Sequence, residues 1–186
     1  MNKKQITVTA LLSSLMLLLA ISQSFFTDNF SNLNIIEKNT EENIYTFENY
    51  SIEFPSEWNV DESENKNDYI SYNVEFKNVD KSVSGLLQVI NTKQDIRVYA
   101  ENDMKKQPLK YSDNEIIPFE NSESIGVLSK YNTEIDNGYS YINRSYYIKG
   151  DNGQIIKILF NISKNSHNSD LDNECSNVIS SIKHDK

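Results

Sequence analysis

The side chains best equipped for chemistry in this chain of 186 residues are one thiol and two imidazoles: Cys175, His167 and His184. A cysteine nucleophile needs an imidazole to generate its thiolate, and either histidine is a candidate base. The spacing argues otherwise. Leu171, Cys175, Val178, Ile179 and Ile182 recur at helical intervals, which places Cys175 on an apolar stripe where a buried, inert thiol is the usual occupant. Two histidines and one cysteine in separate contexts fall short of a four-coordinate zinc site. No Gly-x-Ser-x-Gly elbow supports a Ser-His-Asp arrangement either.

Oxygen ligands are more plentiful. Asp136-Asn137-Gly138 and Asp151-Asn152-Gly153 resemble the start of calcium loops, in which carboxylate and amide oxygens converge on a hard cation. Neither is followed by the further alternating acidic ligands and terminal Glu of such a loop, and hairpin turns account for both. Asp61, Glu62 and Glu64, after Trp58, form an acidic run that reads as a solvated loop. Tyr139, Tyr141, Tyr146 and Tyr147 crowd one strand beside Tyr131, so both faces of that strand carry aromatics. They suit either a recognition surface or a sheet face half covered by helices. The residues therefore predict no catalytic group, no metal ligand and no cofactor.

The elements that would hold these groups follow from periodicity. Ile44 to Phe47 and Tyr50 to Phe54 read as two short strands, closed by the turn Pro55-Ser56-Glu57-Trp58. Ile70, Tyr72, Val74 and Phe76 alternate with polar residues, the period of a strand with one buried face. The more continuously apolar Leu86-Leu87-Gln88-Val89-Ile90 predicts an interior strand covered on both faces. Thr92 and Asp95 offer helix-start chemistry, and Ile96, Tyr99, Ala100 and Met104 share a helical face until Pro108. Ile116 to Phe119, broken by Pro118, is at best an edge strand. Segments near Glu123 to Glu134, Tyr139 to Lys149 and Gln154 to Ser163 predict an antiparallel meander through the two Asp-Asn-Gly turns. An amphipathic helix begins after Ser169 and Asp170.

Residues 1–26 present Lys3 and Lys4, then an uncharged run from Gln5 to Phe26. As a helix it would measure roughly 33 Å against a hydrocarbon core of about 30 Å. A transmembrane anchor or a signal peptide is expected there, cleavable near Ala20 and Ser22, with the positive-inside bias leaving the remainder outside the cytoplasm. A polar linker over 27–43 and one domain over 44–186 complete the expected organisation. Without Lys3 and Lys4 the chain keeps 16 basic residues against 27 acidic ones, a balance that repels nucleic acid and anionic headgroups. With Cys175 alone, no internal disulfide is possible.

Tyr50-Ser51-Ile52-Glu53-Phe54-Pro55-Ser56-Glu57-Trp58, an aromatic-led strand ending in Pro, a polar pair and Trp, resembles the opening of PsbP-like domains. The order of elements from Asp95 onward is also similar, so the resemblance spans Ile44 to Ile182. It implies an α+β fold: an α/β/α sandwich with a central antiparallel sheet, here preceded by the N-terminal transmembrane or signal helix. The family's plant members are extrinsic, non-enzymatic subunits of the photosystem II oxygen-evolving complex, and many bacterial relatives are exported or membrane-tethered. The acidic charge departs from the plant pattern, so a photosynthetic role is not implied and no functional residue carries over. The expected protein is a membrane-anchored, extracytoplasmic, non-catalytic binding or assembly module whose partner is a protein at the outer face of a bacterial membrane. Its alternatives are an exported enzyme built from residues such as Tyr, Asp and Arg144, or a cation or small-ligand sensor. The tyrosine-bearing face and the loop from Glu57 to Asn67 are the expected contact regions.

Overall fold

A computed structural model describes residues 43–62, 67–135 and 138–184. Ten strands and two α-helices follow in the order β1 (Asn43–Phe47), β2 (Tyr50–Phe54), β3 (Asn59–Glu62), β4 (Ile70–Lys77), β5 (Val83–Ile90), α1 (Ile96–Lys105), β6 (Tyr111–Glu120), β7 (Ile125–Glu134), β8 (Ser140–Lys149), β9 (Ile155–Ser163), α2 (Ser169–Ser180) and β10 (Lys183–His184). Seven strands form an antiparallel sheet in the order β3-β4-β5-β9-β8-β7-β6, and β1-β2-β10 form a smaller one.

The small sheet and α2 cover the first face of the large sheet. Even-numbered Ile156, Ile158, Phe160 and Ile162 of β9 point there with Leu87, Val74 and Tyr146 of neighbouring strands, as a period of two requires. The Pro55-Ser56-Glu57-Trp58 turn closes with the Trp58 amide donating to the Pro55 carbonyl at 2.9 Å. That turn seats Trp58 against Phe76, ring centroids 5.6 Å apart, with Phe54 and Phe160 completing the aromatic cluster. Leu171, Cys175, Val178 and Ile179 are the buried stripe of α2. Its N-cap is Asn168, one residue before the expected start, whose side-chain oxygen accepts from the amides of Asp170 and Leu171 at 2.9 and 3.0 Å.

Two strands depart from the expected pattern. Asn59–Glu62 was expected within a solvated loop, yet it pairs with β4 as an edge strand, because Val60 packs against the core while its polar neighbours face water. Lys183–His184 adds to β2, bringing the end of the chain beside its hairpin.

The N-terminal transmembrane or signal helix expected over residues 1–26 is corrected. That segment lies outside the described residues, and among those described no helix is long and apolar enough to cross a membrane. The helices α1 and α2 have 10 and 12 residues, roughly 15 and 18 Å, about half of a bilayer's core or little more. The fold class is therefore an α+β sandwich with an antiparallel sheet, stated without a membrane helix. The single-pass cell-membrane localisation, the membrane as a partner through an N-terminal helix, and the placement of a protein partner at a membrane's outer face all lose their support with it.

Candidate functional site

On its second face the large sheet is only partly covered. Helix α1 starts at Asp95, whose carboxylate accepts from the amides of Arg97 and Val98 at 2.9 and 3.2 Å, and it lays Ile96, Tyr99 and Ala100 over Val127, Tyr147, Ile155 and Ile90. Its last turn is fastened by Asp103, which accepts from the Lys157 ammonium and the Tyr147 hydroxyl, each at 2.7 Å. Burial, with the adjacent Asp103 charge, pushes the Tyr147 phenol far above its ordinary range. Burial likewise raises Tyr99. Such groups stay protonated and act as hydrogen-bond donors, not as bases.

Beyond the end of α1 the cover of the sheet thins. Gln107 and Leu109 rim a depression of about 260 Å³ whose floor carries Leu159, Asn143, Thr133 and Tyr131, with Tyr141 and Ile135 on the far wall. A second depression of about 250 Å³, lined by Asn59, Asp61, Glu75, Lys77 and Leu86, adjoins it through the shared residues Ser84 and Asn161. Together they form one shallow trough across β3, β4, β5, β9, β8 and β7. The amide of Asn143 on its floor donates to Thr133 Oγ1 at 3.0 Å, so the polar floor is fixed in place. Leu86 and Gln88 are half-buried where the apolar run of β5 had led to the expectation of cover on both faces. This is a mixed surface of apolar floor, amides and hydroxyls, with carboxylates and Lys77 at one end. It suits contact with a polypeptide.

The other residues weighed from the sequence do not converge on it. Cys175 is fully buried, and burial pushes its thiol up to about 12, far from the thiolate a nucleophile needs. His167 pairs with Asp172 at 3.0 Å and His184 with Asp151 at 2.9 Å. Asp151, from the second Asp-Asn-Gly turn, also accepts from Asn49 at 3.2 Å, so its carboxylate ties the β1–β2 turn and β10 to the β8–β9 connection. In the first such turn Asp136 and Asn137 lie outside the described residues, and Gly138 adopts φ 79°. Asp61 and Glu62 stand on β3, whereas Glu64 lies outside the described residues. Among the described residues no group of three His, Cys, Asp or Glu side chains is placed to hold a metal ion. Arg144 pairs with Asp172 at 2.7 Å. Of the tyrosines, Tyr131, Tyr146 and Tyr147 are core residues, Tyr139 is exposed, and Tyr141 alone combines partial burial with a place on the trough wall. Asn143, Asn161 and Lys157 were passed over in the sequence. Their signal was a polar side chain at alternate positions of otherwise apolar strands.

A seven-stranded antiparallel sheet with helices on its two faces and a small sheet beside one of them defines an α+β sandwich. The chain is similar in structure to cyanobacterial PsbP (CyanoP) from Synechocystis sp. PCC 6803, with a TM-score of 0.54 and 9% sequence identity over 82% of this chain and 95% of that one. At that identity the likeness concerns the fold. No protein-family model matches the sequence, and no curated protein matches it.

Proposed function

We propose that this protein is a non-catalytic PsbP-like binding or assembly module that holds a segment of a partner protein in the trough beside α1. The observation that carries this reading is the trough on the second face, where half-buried Leu86 and the edge of the buried Leu159 line a depression that α1 stops short of filling. Burying such a floor against a partner releases water from apolar area at about 25 cal/mol per Å², and the surrounding amides and hydroxyls supply the hydrogen bonds that fix register. The pronounced pKa shifts support the same reading, because the raised groups are protonated Tyr99, Tyr147 and Cys175 packed in the two cores.

The test is a paired substitution on the rim. Leu109 is exposed and Tyr141 half-buried, so Leu109→Glu with Tyr141→Glu leaves the cores intact. Tagged protein carrying both changes is expected to lose the partners that the unaltered protein retains on purification from its native cells, while its circular dichroism and melting temperature stay close to the original. Retention of every partner would overturn the assignment of the trough.

A further inference from the structure

The two ends of the trough differ in chemistry: carboxylates at the β3 and β4 end, apolar side chains at the β7 and β8 end. On the reading of the trough as a partner site, we propose that the segment held there is extended polypeptide with a lysine or arginine at one end and a bulky apolar side chain about six residues away.

The register of β3 on β4 builds the acidic end. Asp61 stands directly opposite Glu75, both exposed, and like charges so placed repel. Among the described residues neither carboxylate forms an ion pair. Lys77, one row along and opposite Asn59, offsets one of the two charges, and the other is left to solvent. A cation brought by a partner relieves the repulsion that this strand pairing imposes. The charge of the whole chain, 27 acidic residues against 18 basic ones, favours the approach of a basic segment over an acidic one.

At the other end Leu109 and Ile135 are 40% and 36% exposed, and with half-buried Tyr141 they line the wall. Exposed Tyr111 of β6 stands beside them, its ring T-shaped against Tyr131 with centroids 6.2 Å apart. An aliphatic or aromatic side chain seated there is removed from water. The strand ladder sets the distance between the ends. Glu75 pairs with Leu86, Leu86 with Leu159 and Leu159 with Ser145, so three inter-strand steps and half of a fourth, about 17 Å, separate the middle of the acidic pair from β8. Tyr141 lies four residues from Ser145 along β8, about 14 Å. The diagonal is about 22 Å, which extended chain at about 3.3 to 3.6 Å per residue covers in about six residues. Along it Ser84 and Asn161, half-buried and common to both depressions, present a hydroxyl and an amide to the backbone of the crossing chain.

A phage-displayed library of random peptides of about twelve residues, twice the expected span, panned against the full chain, tests this. Clones that occupy the trough are those that lose binding to protein carrying Leu109→Glu and Tyr141→Glu. Relative to the unselected library they are expected to be enriched in Lys or Arg placed about five to eight positions from a Leu, Ile, Phe, Tyr or Trp. A synthetic peptide from such a clone is expected to bind about fivefold more weakly to protein carrying Asp61→Asn and Glu75→Gln, changes at exposed positions that remove a repulsion. Replacing the peptide's basic residue by Gln is expected to weaken binding to the unaltered protein by a similar factor, and binding to the doubly substituted protein hardly at all. Trough-dependent peptides without that spacing, or indifferent to Asp61→Asn with Glu75→Gln, would overturn this partner chemistry and leave the trough as a partner site. Recovery of no trough-dependent clone would overturn both.

Discussion

Asp103 and Lys157, 54 positions apart, meet at 2.7 Å and join the last turn of α1 to the central strand β9. Both side chains are largely withdrawn from water, and the Tyr147 hydroxyl donates to the same carboxylate oxygen. This contact fastens the last turn of α1 to the sheet, beside the start of the trough. Replacing Asp103 by Asn strands a buried ammonium, so a loss of about 3 kcal/mol is expected, measured by urea unfolding. Asp103→Leu with Lys157→Met and Tyr147→Phe is expected to recover most of that loss, since a packed apolar cluster removes both desolvation costs and leaves no hydroxyl without its acceptor.

The thiol of Cys175 provides a check on the α2 stripe. With burial complete and the thiol raised to about 12, a thiol reagent at pH 8 is expected to leave the native protein unmodified. One equivalent should react once urea unfolds the chain. Rapid modification without denaturant would place α2 away from the sheet.

Acid stability follows from three carboxyls. Hydrogen bonds from Ser82 hold Asp80 below the ordinary carboxylate range, and those from His184 and Asn49 do the same for Asp151. Burial raises Asp172, but hydrogen bonds from Arg144 and His167 outweigh it and leave that group lowered too. A carboxyl lowered in the folded state contributes stability above its unfolded value near 4, and the contribution is lost as pH falls through the lowered value. Unfolding free energy is therefore expected to fall below about pH 4. Asp172→Asn should flatten that decline in a pH series of urea melts.

Gly85 reports on strand packing. A Cβ there would overlap the Leu159 carbonyl oxygen and the ring of Phe76, both fixed in the interior. Gly85→Ala is expected to destabilise by about 2 kcal/mol or more, whereas Gly138→Ala would meet open space and be opposed only by its positive φ. Thermal melts of the two variants distinguish steric from conformational cost.

Much of this architecture was legible because one side of the sheet is thoroughly buried. Alternation in β4 and β9 and the stripe of α2 followed from apolar spacing, and the connection after β8 from its Asp-Asn-Gly residues. The short pairings were not legible: β3 is mostly polar, and β10 has two residues whose partners are fixed only by the packing of α2. The trough was hidden by the same rule that revealed the core. Leu86-Leu87-Gln88-Val89-Ile90 states that a strand is apolar on both faces, but not whether the second cover comes from its own chain or from another. The polar groups of the trough depend on contacts between strands far apart in sequence, which no local pattern encodes.

Photo-cross-linking from single positions tests the binding assignment most directly. A photoactivatable residue at position 141, on the trough wall, is expected to give a discrete partner adduct in native cells, one abolished by Leu109→Glu. The same residue at the exposed position 79, in the β4–β5 turn, should give none. Equal adducts from both positions, or none from 141 under conditions where the protein is folded, would contradict the trough as the partner site.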